Sequence, residues 1–359
     1  MQATRVNEID LLRFFAAMAV VLFHYSFRGY TADSMTVLPY PLLAPCSKYG
    51  YLGVQLFFII SGFVILMTAS NGSLRSFIVS RLVRLYPAFW AACTITFVLI
   101  LLIGGPRYSA TLGEYLANMT MLSGFFGVPF IDGVYWSLLV ELRFYALVIA
   151  VLMMGRIHQA QPILLIWLIA SVILVIQPIY KLNGILIVNY SAYFIAGATC
   201  FLIWSQGMSK TKAGMLMLSW GLAVFQTVAD LPIFENHYHT PINTCAVVGI
   251  ISAFFIVMVM VALRRTGMIG RSRWLLAGSL TYPLYLLHEN IGFMLFNIAY
   301  PAINSHVIFW GTLLVVLGIA YAVHILIEKK YAAPFKLQIN KSLDALGRII
   351  TRLSLQVKR

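Results

Sequence analysis

The chain has 359 residues, 61% of them hydrophobic and only 10% charged, where an ordinary soluble domain is about 45–50% apolar and about 25% charged. Its 25 basic and 11 acidic side chains cannot coat the two or three soluble domains that this length would make, so the solvent has to be largely lipid. A net charge of +14 would suggest nucleic acid as the partner of a soluble protein; here its position along the chain gives it another meaning.

Apolar runs long enough to cross about 30 Å of hydrocarbon fall at residues 9–27, 49–70, 84–104, 133–154, 162–180, 184–205, 213–229, 241–263, 276–300 and 306–327. They predict an all-α, polytopic membrane bundle of about ten transmembrane helices. The aromatic, Gly-punctuated stretch 108–130 reads as an interfacial or re-entrant piece. With the N-terminus inside, the inner loops and tail hold twenty Lys and Arg, the outer loops only Arg28, Lys48, Arg107 and Lys181, and one span holds Arg143. That bias places both termini in the cytoplasm of a cell membrane, inner or plasma. The positive charge is therefore an orientation signal, and no nucleic-acid partner is expected. A cleavable signal peptide is not expected either, because Glu8 and Asp10 occupy its would-be basic region. Residues 1–328 form the transmembrane domain, and 329–359 a basic amphipathic tail on the inner leaflet.

No metal is expected. Cys46, Cys93, Cys200 and Cys245 show neither CxxC nor metal-ligand spacing, although Cys46 and Cys245 fall on one side of the membrane. His237 and His239 form an H-x-H in an outer loop, but two ligands without a third are not a site.

Ionisable side chains at membrane depth are costly, so each needs a reason. In the first span Arg13 and His24 stand eleven residues apart, on one helix face and about 16 Å apart along the axis. His24 is either a core histidine bonded to a neighbouring span or a chemical group. Asp10 is the i,i+3 neighbour of Arg13. The second span, GVQLFFIISGF, carries Ser61 and Gly62 in a small-residue notch. At the next inner boundary Arg81 and Arg84 are spaced to grip phosphates, or to anchor the helix by the positive-inside rule. In the fourth span Tyr135 and Trp136 suit an interface belt, whereas Glu141 and Arg143 lie too deep for one. They pair with each other or with other spans, or Glu141 orients an imidazole. The ninth span, SLTYPLYLLHENIGF, brings Tyr282, Tyr285 and His288 to a spacing of three, followed by Glu289 and Asn290. His24 and His288 fall at similar depth, about 22 Å from the inner side.

In these motifs the chain resembles the membrane acyltransferases of the acyltransferase 3 family, from about Asn7 to about Glu328. Arg13 and His24 match the family's R-x10-H, Arg81 and Arg84 its R-x-x-R, and FFIISGF, VYWSLLVELRFY and YPLYLLHENI resemble its remaining blocks. The resemblance implies an acyl-CoA donor, commonly acetyl-CoA, made on the cytoplasmic side. It implies a hydroxyl-bearing acceptor, a glycan or another envelope or exported molecule, at or beyond the outer half of the bilayer. Arg13, Arg81 and Arg84 are then expected to hold coenzyme A, and His24 to act as general base. A carboxylate would orient its ring: Asp10, fourteen residues and about 21 Å away, cannot, and Glu141 is the expected one by depth. Asp10, Ser61, Tyr135, Trp136, Arg143, Tyr285, His288 and Asn290 are expected to bind substrate or shape the site. Direct transfer and an acyl-histidine intermediate both stay open, as does a homo-oligomer. The competing class is a transporter or flippase with an intramembrane relay, against which no inverted repeat is detectable.

Overall fold

The computed structural model describes residues 6–357, with side chains through Ala345 and at Arg348. Arg5, Lys358 and Arg359, and the side chain of Arg352, all counted above among the inner bases, lie outside the described residues. Eleven long helices follow one another: α1 Asn7–Phe23, α2 Gly53–Ser70, α3 Leu74–Ile103, α4 Tyr135–Met153, α5 Ala160–Ile176, α6 Val188–Gln206, α7 Lys210–Ala229, α8 Thr244–Ala262, α9 Leu275–Ala299, α10 Ser305–Val323 and α11 Lys330–Val357. Side-chain caps start several of them: Ser73 accepts from the Ser76 amide, Ser209 from Lys212 and Asn243 from Ala246, each satisfying an otherwise orphaned donor. Among the described residues there is no strand.

Nine stretches among the described residues are long and apolar enough to cross a membrane. The tenth expected span is α9, whose 25 residues reach far enough but whose His288-Glu289-Asn290 run keeps it too polar to qualify on composition. Its polar residues are buried by neighbours: His288, Glu289 and Asn290 are all nearly inaccessible, because α9 packs between α1, α3 and α10. In contrast α5 and α8 turn Ile166, Ile173, Ile256 and Met260 outward, as lipid requires. Residues 108–130 do not cross. They hold a short helix, Leu112–Asn118, started by a Thr111–Glu114 capping box, and hang on α3 through Tyr86 Oη to the Thr120 carbonyl (3.0 Å) and Trp90 Nε1 to that of Met119 (2.8 Å).

The bundle closes most tightly where α2 crosses α6. A Cβ on Gly62 would stand 2.1 Å from the Phe194 carbonyl oxygen, and one on Gly197 only 1.7 Å from that of Ile59. The two backbones touch, and only glycine permits it. This is the packing role expected of the Ser61-Gly62 notch. The four cysteines are free thiols. After α10 the chain widens into a π-helical turn, His324–Lys329, before α11, which docks on the start of α3 through Arg75 to Asp344 (2.6 Å) and Asn340.

Candidate active site

Two polar clusters lie at different depths along one line through the bundle. The outer one begins where α1 opens into a π-helical turn over His24–Arg28, a feature common at functional sites. His24 Nδ1 is 2.9 Å from the Val20 carbonyl and 3.0 Å from His288 Nε2. His288 Nδ1 faces the Tyr285 carbonyl at 2.9 Å. A carbonyl only accepts, so both Nδ1 atoms carry hydrogen; the single hydrogen on His24 Nδ1 is shared between the Val20 carbonyl and His288 Nε2, and in the neutral ring His24 Nε2 has the lone pair. That lone pair is 3.7 Å from Glu289 Oε2, an oxygen buried without a hydrogen-bond partner. The other Glu289 oxygen accepts from Arg28, whose Nε also reaches Asp33 at 3.0 Å. His237 Nε2 meets the second Asp33 oxygen at 3.2 Å.

Asn290 fixes the loop before α4 onto this cluster. Its backbone donates to Asp132 Oδ2 (3.1 Å) and its amide to the Ile131 carbonyl (2.9 Å), while Val134 N donates to Asp132 Oδ1 (3.2 Å). Burial pushes the Asp132 carboxyl well above the usual carboxylate range, and the nearby Glu289 adds to the shift. Gly133 lies so close to Glu289 that a Cβ would come within 2.8 Å of its oxygens.

Outside His24 is a pocket of about 460 Å³ walled by Tyr51, Trp136, Tyr190, Phe234 and Tyr238, with Gln55, Gln226 and Asp230 among them. Gln226 Oε1 is buried there without a partner. On the side away from Phe234 and Tyr238, Val54 and Tyr285 divide this pocket from a chamber of about 370 Å³ that both also line. The Tyr285 hydroxyl is 2.6 Å from Ser137 Oγ, and its ring stands edge-on to Phe57. The chamber holds Arg13, Arg81, Arg84, Glu141, Ser61 and Tyr282. Arg13 and Arg84 in turn share an inner vestibule of about 530 Å³ with Asp10 and Ser279. Arg84 lies over the Tyr282 ring and 3.7 Å from Glu328.

Several sequence expectations change here. Glu141, expected beside the His24 ring, accepts instead from Ser61 and Tyr145, both at 2.7 Å, inside the arginine chamber; the carboxylate at His24 is Glu289. Glu141 and Arg143 do not pair, since two residues of helix turn them into different cavities. Arg143 lies against the Phe125 ring in a separate cleft. Tyr135 packs on Phe89 in the core and lines none of these cavities. Trp136 does line the outer pocket, and His288, Asn290 and Tyr285 stand at or beside His24. Glu289, Arg28 and Asp132 complete the outer cluster. Their signals were present in sequence: Glu289 follows His288, Arg28 lies one turn beyond His24, and Asp132 opens the DGVYW run.

The profile of a family described as an acyltransferase domain matches residues 6–327. Nodulation protein 10 of Rhizobium leguminosarum bv. viciae is 31% identical over 162 residues, 39% of this chain and 42% of that protein. Regulator of hypoxia-inducible factor 1 of Caenorhabditis elegans is 24% identical over 193 residues, 44% of this chain and 36% of that protein. The matches thus span about two fifths of the length of these curated relatives. No solved structure matches the chain.

Proposed function

The chain belongs to the acyltransferase domain family, and from that premise we propose that it moves an acyl group, acetyl first, from cytoplasmic acyl-CoA to a hydroxyl offered at the outer half of the cell membrane. Membership decides the choice of class in favour of the enzyme over the transporter. The observation that carries the reading is the run of cavities joined by shared residues: vestibule and chamber by Arg13 and Arg84, chamber and outer pocket by Val54 and Tyr285. Coenzyme A is a long molecule with phosphates at one end and the thioester at the other. Its phosphates suit Arg13, Arg81 and Arg84, and its arm would pass Tyr285 to bring the thioester to His24.

His24 Nε2 takes the proton of the acceptor hydroxyl as that oxygen attacks the thioester carbonyl. Glu289, 3.7 Å away, stabilises the imidazolium, and His288 and the Val20 carbonyl hold the ring. The carbon–sulfur bond then breaks and the thiolate leaves with the proton from His24. The base acts directly on the hydroxyl in this reading, without an acyl-histidine. Aromatic faces beside amide and carboxylate groups in the outer pocket suit a polyhydroxylated ring, a glycan before other acceptors.

The test uses the full chain in vesicles with radiolabelled acetyl-CoA supplied on one side and candidate glycans on the other. Label reaching the glycan, and lost with His24→Ala, supports the reading; transfer that survives His24→Ala removes His24 from the chemistry.

A further inference from the structure

Arg143 takes no part in the donor route. It lies eight residues into α4, about 12 Å along the axis from Tyr135, where an unmatched cation is costly. Its neighbour is the Phe125 ring at 5.1 Å, and it has no ion pair with any described residue. It lines a cleft of about 1000 Å³ between α3, α4 and residues 180–190. Arg81 and Lys181 also face this cleft, and no carboxylate does. The remaining wall is mostly apolar, running along one face of α3 from Phe77 to Tyr86. Phe125, Tyr180 and Ile185 in its lining are exposed, so the cleft is open on that side. Asn183, in the same wall, has a buried side-chain oxygen without a hydrogen-bond donor.

We infer that this cleft is a binding site for an anionic phospholipid. The phosphate sits between Arg143 and Lys181, a headgroup hydroxyl donates to Asn183 Oδ1, and one acyl chain follows the apolar wall of α3. Charge complementarity selects the anion: Arg143 and Lys181, with no carboxylate in the lining, favour a headgroup of net negative charge over one whose phosphate is cancelled by choline. The apolar wall selects a lipid over a free phosphate. The proposal stands apart from the acyl-transfer reading, because it uses the cleft beside the chamber and is read by binding alone.

The test is native mass spectrometry of the full chain in micelles, titrated with phosphatidylglycerol or with phosphatidylcholine of the same acyl chains. One phosphatidylglycerol should be retained at roughly thirtyfold lower lipid concentration than phosphatidylcholine, given the worth of two basic side chains near an anionic headgroup. Lys181→Gln and Arg143→Gln should each weaken that retention about fivefold and together abolish the preference. Lys336→Gln with Lys341→Gln, on α11, should leave it intact. Equal retention of the two lipids, or a preference that survives the double cleft variant, overturns the assignment. So does a preference lost with the α11 variant, or displacement of the lipid by inorganic phosphate alone. Should Arg143→Gln fail to insert, Lys181→Gln carries the test, since that side chain is exposed.

Discussion

The inner and outer polar clusters each have a π-helical turn beside them, His324–Lys329 at one end and His24–Arg28 at the other, yet they treat charge in opposite ways. At the outer cluster carboxylates are in excess and anchored: Glu289 is held by Arg28, Arg28 also by Asp33, Asp132 by two backbone amides, and His24 is fixed by a carbonyl and a second imidazole. In the inner chamber cations are in excess: three arginines line it with one carboxylate, Glu141, which is itself occupied by Ser61 and Tyr145, and Glu328 reaches Arg84 at 3.7 Å. Anchored, buried charge holds groups in place for proton transfer. An excess of partly open positive charge is prepared for an anion that arrives from outside. The proposed transfer, from a polyphosphorylated donor on one side to an uncharged hydroxyl on the other, calls for both kinds of site.

The comparison can be broken most decisively at His24. His24→Ala should lower kcat by about 10²–10⁴-fold, the range of general-base catalysis, with the donor KM nearly unchanged in a steady-state assay. Arg81→Ala combined with Arg84→Ala should do the reverse. Donor KM should rise about 10–100-fold, as expected for lost bonds to charged groups, with kcat within a few-fold; an unchanged KM would return both residues to the role of topology anchors. Glu289→Gln keeps an oxygen for Arg28 but loses the charge facing His24, and should slow transfer roughly tenfold without weakening donor binding. At the small end, Arg75→Gln breaks the exposed pair with Asp344. It should leave the thermal melting of the detergent-solubilised chain unaltered, because solvent already screens that pair.

Depth along each helix was legible in the sequence. Counting from the inner side put His24 and His288 level, and the rings are 4.9 Å apart. The same counting placed Arg13 eleven residues below His24 and Arg81 and Arg84 near the inner mouth, and all three arginines line one chamber. What counting along a helix cannot give is rotation about its axis and the choice of neighbours. Glu141 has the right depth to orient His24, but α4 faces its carboxylate toward α2 and the chamber. Glu289 lies on α9, which packs against α1, so proximity went to the residue beside His288. Tyr135 misled for a related reason: its aromatic character fits an interface, but its azimuth points to Phe89. α9 was legible as the span at 276–300 despite its His288-Glu289-Asn290 run, whose polarity is shielded by other helices rather than by its own side chains.

The meeting of α1 with α9 sets a condition on biogenesis. His24 is inserted with the first span, while His288 and Glu289 emerge from the ribosome more than two hundred and fifty residues later. Until α9 docks, His24 has only its own helix carbonyl for company, and the wide turn that carries Arg28 has no Glu289 to hold. Chains stalled before α9 would therefore carry inserted helices without the His24, His288 and Glu289 cluster.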